Sequence, residues 1–337
     1  MCCSMSSGGI KTLNTFRSNI FLWCLGIALT VQVFVAFETP IGGSFEDAAM
    51  LSMNGVQDVT PVKATLVSTD SAGALFNDLY GKRGRVCVTD KSHGTYAIDK
   101  VGDVLVMSVA YNRHAKAFDL VEIIRVNPIM TFPMIQGLGE LGRNMLFHVP
   151  MSMVAFIAFL MGTIYSILYL VKKDFDFDRR ARAASTGGFL FTALATVTGS
   201  IWARFSWGTF WNWDPRETSI FILLLIYGAY FMLRSLLEES EDKKARIAAV
   251  YNIIAFVTVP FLMFILPRIT QSLHPGGGGG IINADAPIIN LSGRTHTDPT
   301  LLDMHWISVL LFLLVFLWIK DLYTRILRLQ DKKMEQA

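Results

Sequence analysis

Hydrophobic and polar positions divide the chain into six long apolar runs and one extended polar stretch. The runs cover residues 19–37, 145–171, 187–203, 219–236, 247–266 and 304–319. Each is close to the length of about 20 residues with which an α-helix crosses a bilayer. The pattern predicts an all-α polytopic membrane protein with six transmembrane helices. We expect the first helix to be retained; the alternative is a cleaved signal peptide. Pro260 predicts a kink in the fifth helix.

The polar stretch, residues 38–143, has a different periodicity. Short β-branched segments that partly alternate, separated by Gly-containing turns, predict strands at 61–69, 85–90, 95–98, 104–111 and 118–126. The pattern predicts a small β-rich domain, a barrel or a sandwich, inserted between helices 1 and 2. Residues 128–142 contain Pro and Gly and are expected to link it back to the membrane.

Positive charges predict the orientation of the helices. Lys11 and Arg17 precede the first run, and Lys172, Lys173, Arg179, Arg180 and Arg182 follow the second in what we expect to be a short loop. Short segments rich in Lys and Arg stay in the cytoplasm. We therefore expect four parts: 1–37, cytoplasmic N-terminus and helix 1; 38–143, an extracytoplasmic domain; 144–323, a five-helix core; and 324–337, a cytoplasmic tail. The expected location is the cell inner membrane, with 38–143 on the periplasmic side.

Composition narrows the class of protein. The 337 residues are 52% hydrophobic and 17% charged, which is too apolar for an ordinary soluble domain. The net charge of +3 gives no reason to expect a nucleic-acid partner, so membrane lipid is the expected environment. The four cysteines form no C-x-x-C pair, which argues against thiol–disulfide exchange, and no C-x-x-C-H site for covalent haem is present.

Tryptophans are concentrated in one short region. Four of the seven, Trp202, Trp207, Trp211 and Trp213, lie between 202 and 213, in or near the expected outer loop 204–218. Indole faces can hold a large flat apolar ligand by stacking, and Arg216 can meet polar groups at its edge. The alternative is an interfacial aromatic belt. Asp214-Pro215-Arg216-Glu217 has the pattern of a helix start, with Asp at the N-cap and Glu three residues later.

The segment 207–218, WGTFWNWDPRET, resembles the tryptophan-rich WWD motif of the CcmC/CcsA family, the haem-handling membrane proteins of cytochrome c biogenesis. The segment that starts at His148-Val149-Pro150 resembles the start of the corresponding helix in that family. The resemblance implies that His148 and His274 are axial ligands of a non-covalent haem b. It also implies that the haem is contacted by a set of residues from the motif region: Trp202, Trp207, Trp211, Trp213, Asp214 and Arg216. His93 and His114 are expected to be surface residues, and His296 and His305 have no match in the family.

The resemblance implies haem delivery for c-type cytochrome maturation rather than an independent catalytic activity. A CcmC-like protein would pass haem to a CcmE-like chaperone beside CcmA- and CcmB-like transporter subunits. The alternatives are a CcsA-like subunit of a cytochrome c synthase, with apocytochrome c as the acceptor, a haem or solute exporter, and a structural assembly subunit. The polar domain 38–143 departs from the family pattern. We expect it to dock a partner and to contain no haem ligand.

Overall fold

The computed structural model describes residues 7–70, 73–87, 100–134, 139–237, 240–270, 272–273 and 299–336. The chain forms two compact units. One contains 1–32, 144–296 and 304–337, and the other contains 33–143 and 297–303.

The smaller unit is built on a closed five-stranded β-barrel. Its strands are β2 (Val59–Asp70), β3 (Gly73–Asp78), β4 (Arg83–Cys87), β5 (Val104–Asn112) and β6 (Ala117–Val126). Around the barrel they follow the order β2-β3-β4-β6-β5 and close on β2. The β4–β6 pair is parallel and the other pairs are antiparallel. This order is that of the OB-fold, a five-stranded Greek-key barrel. Two-residue strands β1 (Ile41–Gly42) and β7 (Phe132–Pro133) pair beside it in parallel.

Alternating side chains fill the barrel, as the period of two requires. The inward positions of β2 are Val62, Ala64 and Leu66, which are all buried. Helix α2 (Phe45–Met53) packs against the barrel through Phe45, whose ring centroid is 4.8 Å from that of Phe118. The Phe45 ring needs a glycine opposite it, because a Cβ on Gly84 would lie 2.5 Å from the ring.

The strand predictions at 61–69, 104–111 and 118–126 are confirmed, and 85–90 is confirmed as far as Cys87. The segment 95–98 lies outside the described residues. The sequence prediction missed β3 and α2. Strand β3 is only six residues long and begins with Gly and ends with Asp, and its pairing with β2 and β4 decides its conformation.

The larger unit is a helical bundle, and among the residues that the structure describes six helices, α1 included, are long and apolar enough to cross a membrane. The helices are α1 (Ser7–Glu38), α3 (His148–Lys172), α4 (Phe175–Trp207), α5 (Pro215–Leu236), α6 (Glu241–Pro260), a short α7 (Leu266–Ile269) and α8 (Pro299–Glu335). A 3₁₀ helix, Gly139–Leu146, precedes α3. The chain is therefore a multi-pass membrane protein, as predicted. At Pro260 the α-helix changes to a π-helical segment, Phe261–Ile265.

The positively charged loop expected after the second helix is not a loop. Helix α4 begins at Phe175, so Arg179, Arg180 and Arg182 are helical and only a short linker around Lys173 remains. Asp174 caps the helix by accepting a hydrogen bond from the backbone N–H of Asp176. The prediction failed because these cations are stabilised partly from another helix: Arg180 pairs with Asp176 within α4, whereas Arg179 pairs with Asp331 of α8. Helix α8 likewise continues through residue 324, where a separate tail was expected to begin.

Small residues bring α3, α4 and α5 close together in the bundle. The Phe159 ring of α3 lies against Gly188 of α4, where a Cβ would be 2.6 Å from the ring. On its other side Phe159 stacks on Tyr227 of α5, with ring centroids 3.7 Å apart. Close contact through small residues is the usual source of helix association in lipid, where the hydrophobic effect between helices is absent.

One end of the bundle is held by ion pairs between helices. Arg234 of α5 makes two hydrogen bonds to the Asp178 carboxylate of α4, at 2.8 and 2.7 Å, and each side chain is only 10% exposed. Asp176 of α4 pairs with Arg328 of α8 at 2.6 Å. Arg179 of α4 pairs with Asp331 of α8 at 2.5 Å. These pairs join α4 to α5 and α8.

We predict that Asp178→Asn strongly lowers the melting temperature of the detergent-purified protein. The change leaves the buried Arg234 guanidinium without its counter-ion, which costs about 3–5 kcal/mol in other proteins. The matched control is Asp321→Asn, because Asp321 pairs with Arg325 within α8 and both side chains are more than half exposed. Similar melting temperatures for the two variants would contradict the role given to the Asp178–Arg234 pair.

Candidate functional site

His148 is the first residue of α3, and its ring is turned onto α4. The Nδ1 atom lies 2.9 Å from the Ala195 carbonyl oxygen and 3.3 Å from Thr198 Oγ1. A carbonyl oxygen can only accept a hydrogen bond, so Nδ1 carries the hydrogen in the neutral ring. The lone pair is then on Nε2, the nitrogen that remains for a metal.

Two further features seat the His148 ring. Gly199 of α4 lies directly against it, and a Cβ at this position would be 2.8 Å from His148 Cε1. Asn144, in the 3₁₀ helix before α3, donates a hydrogen bond of 3.2 Å to the Thr198 carbonyl. Both contacts join the chain around the start of α3 to the same turn of α4. The orientation of the His148 imidazole is therefore set by packing against α4.

The tryptophan loop is shorter than the expected 204–218. Helix α4 continues to Trp207 and ends at Gly208, whose φ of 83° is the left-handed conformation that glycine adopts at helix C-termini. Helix α5 begins at Pro215, so only residues 208–214 form the loop. The Arg204 side chain donates a hydrogen bond to the Gly208 carbonyl and lies over the Phe210 ring.

The predicted helix start at Asp214 is confirmed. Asp214 caps α5, Pro215 follows, and Glu217 completes a capping box. Glu217 Oε2 accepts from the backbone N–H of Asn212 at 2.9 Å and of Asp214 at 3.3 Å. Thr218 Oγ1 donates to the Trp213 carbonyl at 3.2 Å. The loop therefore has one backbone conformation specified from both of its ends.

The four clustered tryptophans form two edge-to-face pairs. Trp202 and Trp207, both on α4, have ring centroids 4.9 Å apart, and Trp211 and Trp213 have centroids 5.8 Å apart. Trp211 and Trp213 also contact Phe221 of α5. Trp202 is buried, Trp207 and Trp211 are half-buried, and Trp213 is 65% exposed. Trp213 is thus the one of the four that offers most of its surface to a ligand.

Trp213 has an unusual backbone conformation. Its φ of 62° is in the left-handed region, which bulky residues rarely adopt. Such a conformation costs about 1–3 kcal/mol and persists only where the surroundings enforce it. Here the hydrogen bonds of Asn212, Asp214 and Thr218 on either side enforce it. They hold an exposed indole in one position before the rigid start of α5.

Asp214 has a second set of partners far along the chain. Its Oδ1 accepts from the Arg216 backbone N–H at 2.9 Å and from Ser272 Oγ at 2.8 Å. Its Oδ2 accepts from the Leu273 backbone N–H at 2.8 Å. The carboxylate is 5% exposed, so these bonds are shielded from water. Asp214 therefore ties the segment after α7 to the tryptophan loop.

The sequence-predicted site residues are brought together in part. Arg216 is half-buried in the first turn of α5, directly after the tryptophan loop. His274 lies outside the described residues, as do His93 and His296, and the described segment ends at Leu273, its neighbour in sequence. His114 is exposed, and His305 is buried.

Sequence reasoning missed several residues of this region. Thr198 and Gly199 lie against the His148 ring, Asn144 is hydrogen-bonded to the Thr198 carbonyl, and Phe210 of the tryptophan loop has a ring that is 59% exposed. The sequence carried a signal for Gly199, which stands one turn before Trp202 on the same helix. No sequence signal marked Asn144 or Ser272.

We predict that Asp214→Asn increases the rate of amide hydrogen exchange at Leu273 by at least about tenfold. An amide side chain has one acceptor oxygen, so it cannot keep all the bonds of the carboxylate, and a hydrogen bond to a charged group is worth about 1.5–3 kcal/mol. The control is Asp174→Asn, because Asp174 also caps a helix but has only local partners. An unchanged rate of amide hydrogen exchange at Leu273 in Asp214→Asn would show that the hydrogen bonds of Asp214 do not hold this segment in place.

The part of the chain that contains the candidate site is similar to known proteins. The family model described as cytochrome C assembly protein matches residues 125–274. The heme exporter protein C of Paracoccus denitrificans is 33% identical over 138 residues, 41% of this chain and 57% of that protein. A putative cytochrome c biosynthesis ccmC-like mitochondrial protein of Marchantia polymorpha is 33% identical over 127 residues, 37% of this chain and 52% of that protein.

The cytochrome c biogenesis protein CcsA of Chlamydomonas reinhardtii is 29% identical over 146 residues, 40% of each chain. The chain spans about half the length of the first relatives it matches. The matched segment includes His148, the seat of its ring on α4, the whole tryptophan loop and Asp214. Through this segment the chain is similar to the cytochrome c assembly proteins of the CcmC and CcsA type, and the similarity covers less than half of its length.

Proposed function

We propose that the protein binds haem non-covalently beside the tryptophan loop and delivers it for the maturation of c-type cytochromes. The main observation in support of the proposal is the way in which α4 holds the His148 ring. Its Nδ1 is committed to the Ala195 carbonyl, so Nε2 is the nitrogen presented for a metal. A histidine whose other nitrogen is held by a backbone carbonyl is the usual arrangement of a metal ligand.

The tryptophan loop and the start of α5 carry residues that would suit a porphyrin. Trp213 and Phe210 supply exposed aromatic surface for the macrocycle, and Arg216 supplies a cation for its carboxylates. His274 is the proposed second axial ligand, because it matches the family's second histidine and follows the residue that Asp214 holds. Trp207 and Trp211 are proposed to support the aromatic surface from behind, since they are half-buried. Haem iron would accept the imidazole nitrogens as axial ligands.

Trp202 and Asp214 have different proposed roles from those the resemblance implies. Trp202 is 9% exposed and packs edge-to-face on Trp207, and the Asp214 carboxylate is occupied by three hydrogen bonds within the chain. We therefore propose that both act through their neighbours rather than by touching haem.

Location and partners are proposals as well. The charge distribution favours an inner-membrane protein whose tryptophan loop and 38–143 domain are periplasmic. A CcmE-like chaperone is the proposed acceptor, with CcmA- and CcmB-like subunits as neighbours. The CcsA-type relatives leave a cytochrome c synthase subunit, with apocytochrome c as the acceptor, as the second candidate. Co-purification of haem with one acceptor rather than the other separates the two.

We predict that the protein purified in detergent, after expression with ample haem, has a haem Soret band. His148→Ala and His274→Ala should each shift the spectrum and weaken haem retention by more than about tenfold, because an axial ligand is lost. The control is His114→Ala, an exposed histidine of the smaller unit. Absence of haem from the wild-type protein would overturn the proposed function. Equal, negligible effects of the three changes would overturn the axial assignment.

We predict that Gly199→Ala weakens haem retention about 10- to 100-fold although residue 199 cannot bind iron. The added Cβ would lie 2.8 Å from His148 Cε1 and must displace the ring; loss of a residue that orients a metal ligand has an effect of this size. The control is Gly228→Ala on α5, where a Cβ meets nothing within 4 Å. A Gly199→Ala spectrum identical to that of wild type would show that the His148 seat is not needed for haem binding.

We predict that replacing residues 44–127 by a short flexible linker retains haem and abolishes cytochrome maturation. The deletion removes the whole barrel, from α2 to β6, and we propose that this domain docks a partner and supplies no haem ligand. Haem absorbance and holocytochrome yield are the two measurements. Loss of haem from a variant that still inserts and folds would mean that the barrel builds part of the site. Normal maturation would mean that the domain has another role.

A further inference from the structure

A groove of about 860 Å³ lies at the ion-paired end of the helical bundle, among α4, α5, α6 and α8. The side chains that line it are aromatic in one part and charged in another. Phe189 of α4 and Phe231 of α5 form one part, in edge-to-face contact with ring centroids 5.5 Å apart. Arg182 of α4 and Tyr323 of α8 form the next part, and Lys333 of α8 also lines the groove. The groove is therefore apolar in one part and cationic in another.

The charged part of the groove has a surplus of positive charge. Three of its other charged residues, Arg234, Lys244 and Asp331, are paired with Asp178, Glu241 and Arg179 respectively. Among the residues that the structure describes, Arg182 and Lys333 have no such carboxylate partner. Arg182 is half-buried, and its guanidinium lies 6.0 Å from the centroid of the Tyr323 ring. A half-buried cation without a counter-ion favours an anion from outside the chain.

The position of Arg182 along α4 indicates the depth of the groove. Residues 183–203 contain no Asp, Glu, Lys or Arg, and at 1.5 Å per residue they span about 30 Å, the thickness of the hydrocarbon layer. Arg182 therefore stands at the border between this layer and the lipid headgroups. Phe189 is seven residues further along the helix, which is about 10 Å deeper. The cation and the aromatic rings are thus spaced like the phosphate and the upper acyl chains of a phospholipid.

We propose that this groove is a binding site for an anionic phospholipid, with the phosphate at Arg182 and the acyl chains against Phe189 and Phe231. Gln330, which also lines the groove, can donate hydrogen bonds to headgroup oxygens through its amide. A basic pocket between transmembrane helices, on the side where the positive charges are expected to be cytoplasmic, is the usual site of anionic-lipid recognition. A soluble anion would use the cationic part alone and leave the aromatic part without a ligand.

Native mass spectrometry of the full chain released from detergent, with added phosphatidylglycerol, tests the site. The expected result is retention of phosphatidylglycerol in preference to phosphatidylcholine by the wild type and by Arg182→Lys. Arg182→Gln should bind phosphatidylglycerol about fivefold more weakly, because one Lys or Arg near a membrane surface contributes about this factor. The matched control is Arg325→Gln, because Arg325 is on α8, is exposed, and is not part of the groove.

Three results would overturn the proposal. Equal retention of phosphatidylglycerol and phosphatidylcholine would mean that charge does not select the ligand. Equal binding by Arg182→Gln and Arg325→Gln would mean that Arg182 is not in the site. Stabilisation by inorganic phosphate as large as that by phosphatidylglycerol would make the groove a site for soluble anions. If Arg182→Gln does not fold, Lys333→Gln replaces it, with the same expected direction and the same control.

Discussion

The buried carboxylate of Asp214 joins the end of the tryptophan loop and the start of α5 to a segment 58 to 59 residues later in the chain. It caps α5 through the Arg216 backbone N–H, and it accepts from Ser272 Oγ and from the Leu273 N–H. An ionised acceptor shielded from water makes stronger hydrogen bonds than an exposed one. Asp214 therefore helps to fix the position of the segment after α7 relative to the tryptophan loop and the first turn of α5.

His148 is held in a different way, by the surface of a neighbouring helix. The Ala195 carbonyl selects the protonated nitrogen, and Gly199 leaves room for the ring. The carbonyl and the glycine are four residues apart on α4, so they lie on the same face of that helix. A side chain held in this way loses little conformational freedom on binding a partner, which is the general requirement for a pre-organised site. The exposed indole of Trp213 is also held in one position, because its neighbours enforce a left-handed backbone conformation at this residue.

The two ends of the bundle have opposite chemistry. At the tryptophan end, aromatic side chains such as Trp213 and Phe210 are exposed, and hydrogen bonds of Asp214 and His148 connect segments that are distant in the chain. At the other end, carboxylates and guanidiniums of α4, α5 and α8 pair across helices, with Asp178–Arg234 the most buried pair. In a bilayer this difference suits the two faces, since ion pairs near the headgroups keep contact with water and aromatic rings are favoured at the interface.

Local patterns in the sequence predicted much of this architecture. Apolar runs predicted six spanning helices, alternation predicted most of the barrel strands, and Asp214-Pro215-Arg216-Glu217 predicted the start of α5, because each depends on residues a few positions apart. The features that tertiary structure decided depend on residues that are distant in the chain. No local pattern pairs His148 with Ala195 and Gly199, or Asp214 with Ser272 and Leu273. Arg179 and Arg182 suggested a loop because their stabilising partners, Asp331 and Tyr323, are on α8. Hydrophobic periodicity and helix capping depend on residues that are close together in sequence. The orientation and partners of a buried side chain depend instead on which helix packs beside it.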